Sequence, residues 1–427
     1  MNSDDLKSVL RESIDRELPR GKPRSLTLPT ESAKVVGVCG VRRCGKTFLF
    51  FDTMRRLVAA GVDRRRILYL NFEDDRLHPV RAADLDLVLR CHRELFPELP
   101  GRLYLFLDEV QSAPGWERWV RRLHDTVDIS IFVTGSSSRV LTADLSSALR
   151  GRSVTHEVFP LSFREYLAFR GIDVTSFDAT RESVVRHALE QYLHEGGFPE
   201  VVLADPPMRP LILEEYASVM LARDLAEHRG VRNEPLMRAL LRHCYRNTAT
   251  LVSISKLARD FCSQGIEFGR NTLFEYVRLL EDAGLIFLLP VCERSARKQA
   301  RNPRKLHVVD TGLVAAFLPG ARRDVGHKLE TAVFLECRRR GRGWCYGSGD
   351  VEADLVDSEG TIWVNSCWGL TDPETIARER KAMEGARSRW PAGKGVVVYH
   401  EYGADVRRQF ESAIPAWKWL AGVGATG

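Results

Sequence analysis

GVRRCGKT, residues 40–47, decides the fold because it matches the G-x-x-x-x-G-K-T pattern of a phosphate-binding loop. The apolar run KVVGVC (34–39) precedes it and FLFFDTMRRLV (48–58) follows it, which is the strand–loop–helix order that the pattern needs. Gly40 and Gly45 allow a tight turn whose N–H groups point at phosphate oxygens, and the following helix adds its positive end. A chance match in a glycine-bearing turn does not account for this context.

The loop and the first residue beyond it contain the candidate nucleotide ligands. Lys46 is expected to reach the β- and γ-phosphates, and the Thr47 hydroxyl to bind Mg²⁺. Cys44 is interpreted as a small spacer, with a redox-sensitive thiol as the alternative. Arg42 and Arg43 are expected to face outward, towards neighbouring domains. The expected ligands are ATP and Mg²⁺, and the candidate set is Gly40, Val41, Arg42, Arg43, Cys44, Gly45, Lys46, Thr47 and Phe48.

A second phosphate-site pattern lies in the apolar strand LYLFLDE (103–109). The carboxyl end of this strand would direct Asp108 to the Mg²⁺ shell and Glu109 to an attacking water, as in a Walker B pattern. Asp108 is therefore a candidate metal ligand. Glu109 and Lys46 are the candidate catalytic residues that these two patterns supply.

Polar residues also follow the next strand, ISIFVTG (129–135). Thr134, Ser136 or Ser137 could sense the γ-phosphate or orient the water, and a serine-rich turn is the alternative. Further on, Arg150 and Arg152 flank a glycine. Either arginine could act as a sensor or an arginine finger, in its own chain or a neighbour's, because guanidinium stabilises charge on the transferring phosphoryl group. The alternative for both is a salt bridge to Glu157 or Glu165.

Composition indicates a globular protein of two to four domains. The chain has 427 residues, of which 44% are hydrophobic and 28% charged. No apolar run approaches the roughly 20 residues of a membrane span, and the charged start lacks the core of a secretory signal. We therefore expect a cytoplasmic location and no membrane partner. Nine scattered cysteines without a C-x-x-C pair argue against a zinc site and a disulfide framework.

The net charge of +6 is weak support for a nucleic-acid partner. The basic clusters at 64–66, 294–305 and 338–342 are more often solvated faces than binding surfaces, so they count only beside a DNA-binding module. Residues 236–288 have the pattern of such a module. Helices are predicted at 236–249, at 253–262 after a possible cap at Ser253, and at 270–282, with a wing strand at 286–291.

This layout predicts a winged helix whose recognition helix is 270–282. Leu273, Tyr276, Val277, Leu280 and Ala283 share its inner face. Its exposed face carries Arg270, Asn271, Glu275 and Arg278. DNA contact through residues 250–290 is one interpretation, and a protein–protein module is the alternative.

Together these segments resemble a prokaryotic group of AAA-type P-loop ATPases with a middle winged helix and a C-terminal domain similar to the PD-(D/E)xK nuclease fold. The resemblance also draws on YLNFEDDRL (69–77), GGFPEVV (196–202), KLHVVDTGL (305–313) and GHKLETAVFLE (326–336). It implies nucleotide binding at Gly45, Lys46 and Thr47, and hydrolysis involving Asp108 and Glu109. The expected fold is an α/β P-loop NTPase with a parallel, AAA-like sheet, followed by a helical winged-helix domain and an α/β restriction-endonuclease-like domain.

The expected domains are a helix and linker at 1–32, the ATPase domain at 33–205, the winged-helix domain at 206–320 and the nuclease-like domain at 321–427. Strands are predicted at 34–40, 66–72, 103–109 and 129–135 in the ATPase domain. Further short strands are predicted around LVD, IWVN and GVVVYH in the last domain.

The nuclease-like domain departs from its family's pattern. The resemblance implies a metal site built from Glu330, Asp354 and an E-x-K pair on the next strand. Here Trp363 occupies the acidic place and Asn365 the lysine place, so neither a ligand nor a cation is supplied there. We predict a nuclease-inactive domain, although an unrelated carboxylate such as Glu352 could restore the site.

The function predicted from the sequence is an ATP-hydrolysing switch coupled to a winged helix and an inactive nuclease-like domain. An ATP-gated DNA-processing nuclease and a non-enzymatic DNA-binding regulator or antitoxin are the alternatives. ATP is the expected partner, with DNA, a protein partner and a homo-oligomer as further possibilities.

Overall fold

The computed structural model of this chain describes residues 1–135, 145, 149–174, 179–221, 231–269, 271–293, 295–318, 324–341, 343–349, 352–402, 410 and 412–423. The chain divides into two units. Unit 1 comprises Met1–Val158 with Asp282–Gly284, and unit 2 comprises Phe159–Glu281 with Leu285–Gly427. No helix among the described residues is long and apolar enough to span a bilayer.

Unit 1 is built on a parallel sheet with the strand order β2-β3-β4-β1-β5. Its elements are α1 Ser3–Asp15, β1 Val35–Cys39, α2 Lys46–Ala59, β2 Ile67–Asn71, α3 Leu87–Leu95, β3 Leu103–Asp108, α4 Trp116–Thr126, β4 Ile129–Gly135 and β5 Ser153–Glu157. Short 3-10 helices lie at Arg64–Arg66, Asp75–Leu77, Ala82–Asp84 and Val110–Ser112.

The four strands predicted in this part of the chain are confirmed. They are continuous apolar runs because a parallel sheet is covered on both faces. The fifth strand, β5, was missed because SVTHE is not apolar. It lies at the sheet edge beside β1, and all five of its residues are only half buried.

Helix α1 belongs to the core of unit 1. Leu6, Val9, Leu10 and Ile14 recur at helical spacing and are buried. Asn2 caps the helix, because its side chain accepts a hydrogen bond from the N–H of Asp4 at 3.2 Å. The N-terminal helix predicted at 1–32 is therefore present, and it packs with the residues of the parallel sheet.

Unit 2 begins with helices α5 Phe163–Arg170, α6 Ala179–Glu195, α7 Pro199–Leu203 and α8 Met208–Val219. Next come α9 Glu234–Arg246, β6 Thr250–Val252, α10 Ile254–Ser263, α11 Thr272–Asp282, β7 Ile286–Leu289, α12 Ala296–Arg301, β8 Arg304–Val308 and α13 Leu313–Phe317. Its last part contains α14 Val325–Arg339, β9 Trp344–Cys345, β10 Leu355–Asp357, β11 Ile362–Leu370, α15 Pro373–Arg389, β12 Lys394–Tyr402, β13 Ala413–Pro415 and α16 Ala416–Leu420.

Three helices and a three-stranded antiparallel sheet form the middle of unit 2. The strand order is β6-β8-β7, and α9, α10 and α11 lie within a few residues of the predicted helices. The predicted inner face of α11 is buried. Ser253 is at the N-cap position of α10, as predicted, although its side chain makes no capping hydrogen bond. Arg270 lies outside the described residues.

The last part of unit 2 contains a mixed five-stranded sheet of order β13-β12-β11-β10-β9. Strands β11, β12 and β13 run parallel, whereas β10 pairs antiparallel with both of its neighbours. The three strands predicted here correspond to β10, β11 and β12. The two edge strands have only two and three residues, too few to show a pattern in the sequence.

Residues 159–203 pack with unit 2, whereas the sequence placed them in an ATPase domain ending at 205. The main chain of Leu161 accepts a 2.9 Å hydrogen bond from Tyr192. Asp310 accepts hydrogen bonds from the backbone N–H groups of Gly197, at 2.7 Å, and Gly312, at 2.9 Å. A side chain at Gly197 would meet the Leu161 carbonyl oxygen at 2.4 Å, which explains a glycine there. These contacts join the motifs GGFPEVV and KLHVVDTGL.

Unit 2 also contains a disulfide between Cys292 and Cys345, contrary to the expectation from the sequence. The two residues are 53 positions apart, so no local motif announces the pair. Pairing of neighbouring backbone brings them together, because the N–H of Cys292 donates to the Tyr346 carbonyl at 2.8 Å.

Candidate functional site

The phosphate-binding loop connects β1 to α2 in unit 1, as the sequence predicts. Gly45 has φ 101°, in the left-handed region that glycine tolerates. Gly40 has φ 153°, and a Cβ there would lie 2.1 Å from the carbonyl oxygen of Val158. Both glycines are therefore required by the backbone of the loop itself.

Lys46 is buried within this loop, with 5% of its surface exposed. Its ammonium donates to the carbonyl oxygens of Gly40 at 3.1 Å and Val41 at 3.3 Å. It also lies 3.9 Å from Oε1 of Glu109. Burial opposes the charge, but the neighbouring Cys44, Glu109 and Asp108 outweigh burial and raise the pKa of Lys46. The loop thus holds a positive charge.

Asp108 connects the loop to the ends of three strands. Its Oδ2 accepts hydrogen bonds from the Thr47 hydroxyl at 2.8 Å and the Tyr69 hydroxyl at 2.9 Å. Its Oδ1 accepts a hydrogen bond from the hydroxyl of Thr134, which is fully buried. Burial and the nearby Asp108 carboxylate raise the pKa of Tyr69, which stays a neutral donor. The residues predicted at the metal site, Thr47 and Asp108, are therefore in direct contact.

Glu109 follows Asp108 in a left-handed conformation, with φ 52° and ψ 51°. This backbone is unfavourable for a residue with a side chain and persists only where the surroundings hold it. The Thr134 hydroxyl accepts a 3.0 Å hydrogen bond from the Glu109 N–H. Gln111 Nε2 donates to Glu109 Oε2 at 2.6 Å. Glu109, the predicted base, is thus held through its backbone N–H by Thr134 and through its carboxylate by Gln111.

Thr134 makes two contacts with the acidic pair. Its hydroxyl donates to Asp108 and accepts from Glu109, so this arrangement makes it a positioning group for both. The predicted sensing of a γ-phosphate remains a prediction. Ser136 and Ser137, the other two sensor candidates, lie outside the described residues.

The remaining loop residues differ from the expectation. Arg42 is half buried and donates to Glu73 at 3.1 Å within unit 1, rather than facing outward, whereas Arg43 is exposed. Cys44 is fully buried, and burial raises the pKa of its thiol, which fits the spacer interpretation better than a reactive thiol. Its carbonyl accepts a 2.8 Å hydrogen bond from Arg24 in the N-terminal linker.

The structure does not bring Arg152 to the phosphate loop of its own chain. Its carbonyl accepts from the N–H of Val35, at the start of β1, whereas the loop follows the end of that strand. Its guanidinium pairs with Asp125 at 2.8 Å, not with either predicted glutamate. Arg150 is exposed in the turn just before it. A sensor role within the same chain is therefore unsupported, and a finger supplied to a neighbour stays a prediction.

The donors around Thr47 suit Mg²⁺. The Thr47 hydroxyl and the Asp108 carboxylate are hard oxygen ligands beside a loop that would hold the phosphate oxygens of Mg·ATP. Within the described ranges, no group of three or more His, Cys, Asp or Glu side chains could hold a metal ion by itself. A cation at this position would therefore need oxygens from the nucleotide, as is usual for Mg²⁺.

A second ionic cluster lies in unit 2, at the predicted nuclease-like site. The Lys305 ammonium is 2.5 Å from Glu330 Oε1 and 2.9 Å from Asp354 Oδ1. Asp354 Oδ2 accepts from the N–H of Ser366 at 2.8 Å. Burial, reinforced by Asp354, raises the pKa of Glu330 to about 8. Asn365 supplies no cation at the lysine place, but the site does contain one, because Lys305 reaches it from β8.

The predicted E-x-K strand is β11, and its two substituted positions lie in the interior. Trp363 is 2% exposed and packs near Trp390, with ring centroids 6.4 Å apart. Asn365 donates to Glu379 Oε2 at 3.0 Å and to the Glu352 carbonyl at 3.1 Å. Glu379 is thus a further carboxylate at this strand, and both it and Glu352 line the cavity that contains Glu330 and Asp354.

Sequence reasoning missed Tyr69, Gln111 and Lys305. Tyr69 lies on β2, which is the neighbour of β3 in the sheet. Because neighbouring parallel strands end at the same edge of a sheet, its place in a predicted strand was the signal that could have located it near Asp108. Gln111 is only two residues beyond Glu109, and this spacing was the available signal. Lys305 begins the segment KLHVVDTGL, but nothing in the sequence links it to Asp354, 49 positions later.

Comparison with known proteins agrees with this geometry. Residues 32–167 match the family described as an AAA domain, and residues 186–324 match a domain of unknown function. An uncharacterized protein of Methanocaldococcus jannaschii is 30% identical over 405 residues, covering 90% of this chain and 88% of the relative. A Haemophilus influenzae protein, also uncharacterized, is 29% identical over 77% of this chain and 79% of its own.

Similar solved structures include a Walker-type ATPase of Pyrococcus abyssi, with 15% identity, a TM-score of 0.44, and coverage of 74% of this chain and 95% of that chain. The Aeropyrum pernix ORC1 protein in complex with DNA has a TM-score of 0.29, 15% identity, and coverage of 74% and 90%. At these scores the likenesses carry no functional argument. The chain has an AAA domain at residues 32–167 and belongs to the same family as its Methanocaldococcus jannaschii relative.

Proposed function

We propose that the protein binds ATP and hydrolyses it to ADP and phosphate. The observation that carries this proposal is the contact between the two motifs. The Thr47 hydroxyl, in the loop helix, donates to Asp108 at the end of β3, and Thr134 and Tyr69 donate to the same carboxylate. A polar network of this kind, at the carboxyl edge of a parallel sheet, suits a phosphoryl-transfer site.

In this proposal Lys46 and the loop N–H groups hold the β- and γ-phosphates. The ammonium, which donates to loop carbonyls at 3.1 and 3.3 Å, would exchange these partners for phosphate oxygens. Thr47 and Asp108 would hold Mg²⁺, which neutralises charge that develops on the phosphates. Thr47 is only half buried.

Glu109 is the proposed base, which would accept a proton from the attacking water. Thr134 fixes its backbone and Gln111 fixes its carboxylate, so the group is oriented before any ligand binds. Orientation of this kind lowers the entropy that the reaction must lose at the transition state. Gln111 is therefore proposed as a positioning residue for Glu109.

An ATPase assay on the full chain tests these roles. Glu109→Gln should retain ATP binding and lose most turnover, because the amide cannot accept the proton. Gln111→Leu should lower kcat by about ten-fold with KM nearly unchanged, since only orientation is lost. Exposed Glu98 provides the matched control, and Glu98→Gln should hydrolyse ATP at the native rate. Turnover at the native rate in Glu109→Gln would contradict the proposal that Glu109 is the base.

We further propose that ATP binding acts as a switch on a winged-helix module made of α9 to β8. Three helices and the sheet β6-β8-β7 support that interpretation. Hydrogen exchange with and without ATP tests it, since a switch requires altered protection in residues 234–308. Identical hydrogen exchange with and without ATP would contradict the coupling and leave only the proposed ATPase activity.

DNA contact through residues 250–290 is the role that the sequence suggests for that module. Phe274 on α11 is 47% exposed, and an apolar side chain on that face suits the alternative, a protein partner, better. A mobility-shift series over salt concentration distinguishes the two, because phosphate contacts weaken steeply with salt. If no shift occurs at low salt, the function as a DNA-binding regulator loses its support, and binding of a protein partner remains as the role of the module.

For the last part of unit 2 we propose a nuclease-like fold without nuclease activity. The Lys305 ammonium lies 2.5 Å from Glu330 and 2.9 Å from Asp354, the two carboxylates that would bind a metal, so a positive charge is already present there. Incubation of plasmid with purified protein in Mg²⁺ or Mn²⁺ should show no nicking. Nicking that Asp354→Ala abolishes would instead establish the alternative, a DNA-processing nuclease.

A further inference from the structure

Phe48 directly follows the proposed Mg²⁺ ligand and is unusually exposed for its place in the fold. Its side chain is 51% exposed, whereas Leu49 and Phe50, the next two residues of α2, are 1% and 0% exposed. An exposed aromatic ring in the first turn of the phosphate-loop helix is not explained by packing within unit 1. It adds nothing to the apolar core that Leu49 and Phe50 join.

The ring is nevertheless held in place by its neighbours. Phe51, one turn along α2, contacts it edge-on with ring centroids 6.1 Å apart. On another side, a Cβ at Gly21 would lie 3.0 Å from Cδ1 of Phe48, so the backbone of the N-terminal linker lies against the ring. Arg24, three residues on, is hydrogen bonded to the carbonyl of Cys44 in the loop. The linker thus borders both the loop and the ring.

We propose that Phe48 is the stacking surface for the base of the bound nucleoside triphosphate. This rests on the proposed function, because it assumes that the β- and γ-phosphates lie at Lys46. If the phosphates bind there, the rest of the nucleotide would lie within reach of the loop, and Phe48, two residues beyond Lys46, is an exposed ring beside the loop. Bases stack on aromatic side chains through their π faces. Purines offer the larger face, so a purine triphosphate is the preferred class of ligand.

Calorimetry on the full chain with Mg·ATP, Mg·UTP and Mg·tripolyphosphate separates base from phosphate binding. Phe48→Ala should weaken ATP binding about ten-fold or more and should reduce the preference for ATP over UTP. Tripolyphosphate has no base, so its affinity should stay within about two-fold in the same variant. Phe48→Tyr retains the ring and should bind ATP nearly as the native chain does. Val58→Ala, at another exposed apolar residue of α2, is the control and should change nothing.

The outcomes are distinct. Unchanged ATP affinity in Phe48→Ala would overturn the stacking role while leaving the proposed ATPase intact. Equal weakening of ATP and tripolyphosphate would also overturn it, because a disturbed loop explains that result. If the native chain binds neither ATP nor tripolyphosphate, the proposed function itself fails, and the inference fails with it.

Discussion

The hydroxyl of Thr47 donates a 2.8 Å hydrogen bond to Oδ2 of Asp108, 61 positions later in the chain. One residue lies in the first turn of α2 and the other ends β3, so this contact joins the two halves of the proposed site. The hydroxyl proton is directed to the carboxylate, which leaves lone pairs on the Thr47 oxygen for a cation. The site is therefore arranged before a ligand binds.

Thr134→Val removes a hydroxyl at nearly constant shape and tests the buried network. Asp108 loses a donor and the N–H of Glu109 loses its acceptor, so we expect turnover to fall by up to about 100-fold. ATP affinity should change little, because the phosphate loop is untouched. Unfolding in urea should show a loss of about 1–3 kcal/mol from the unsatisfied groups. Thr134→Ser keeps the hydroxyl and is the control; native turnover in the valine variant would contradict the positioning role.

Arg152→Ala tests where this arginine acts. Its side chain is 45% exposed and pairs with Asp125 on the surface, so the loss of stability should stay below about 1 kcal/mol. At protein concentrations where light scattering reports a monomer, turnover should equal that of the native chain. A drop of about 1000-fold or more that appears only in the assembled protein would identify a finger acting on a neighbour. A drop in the monomer would contradict the placement described above.

The raised pKa of Glu330 gives a pH dependence of stability. Because its folded pKa is about 8, well above its ordinary value of 4.5, the folded state binds this proton more tightly than the unfolded state. The free energy of unfolding should therefore fall as pH rises from about 4.5 to about 8, by at most about 1.4 kcal/mol per pH unit. Glu330→Gln should flatten this slope, measured by urea unfolding.

Exposed Glu359 provides the control for that measurement, since Glu359→Gln should keep the native slope. If Glu330→Gln leaves the pH dependence as it was, the carboxyl titrates at an ordinary pKa. The attraction of Lys305 would then lower the pKa of Glu330 by as much as burial raises it.

The disulfide between Cys292 and Cys345 closes a loop of 53 positions in unit 2. Cys292→Ser should therefore lower the free energy of unfolding of oxidised protein by about 2–4 kcal/mol. The same variant under reducing conditions should match the reduced native chain. Cys262→Ser, at an exposed free cysteine, is the control. Mass spectrometry of the oxidised native chain that finds both thiols free would contradict the link.

The features that could be predicted from the sequence are those that a local pattern of residues determines. The phosphate loop, the strands β1 to β4 and the acidic pair Asp108 and Glu109 all lie in continuous segments, where spacing and apolar runs carry the information. The buried face of α11 is predictable for the same reason, because its residues recur at helical spacing.

Contacts between distant segments are not predictable in this way. The position of Arg152 depends on β5, a half-buried edge strand whose pairing with β1 no local pattern shows. Lys305, on β8, reaches Asp354, which directly precedes β10, across 49 positions. The same holds for Cys292 and Cys345, which only the fold of unit 2 brings together.

Calorimetric titration of Mg·ATP into the full chain tests the central claim most directly. The account requires saturable binding with a dissociation constant between about 1 µM and 1 mM. Binding should be lost in Lys46→Ala and retained in Lys34→Ala, a control at an exposed lysine of the same unit. No heat of association at millimolar Mg·ATP, or native binding by Lys46→Ala, would contradict it.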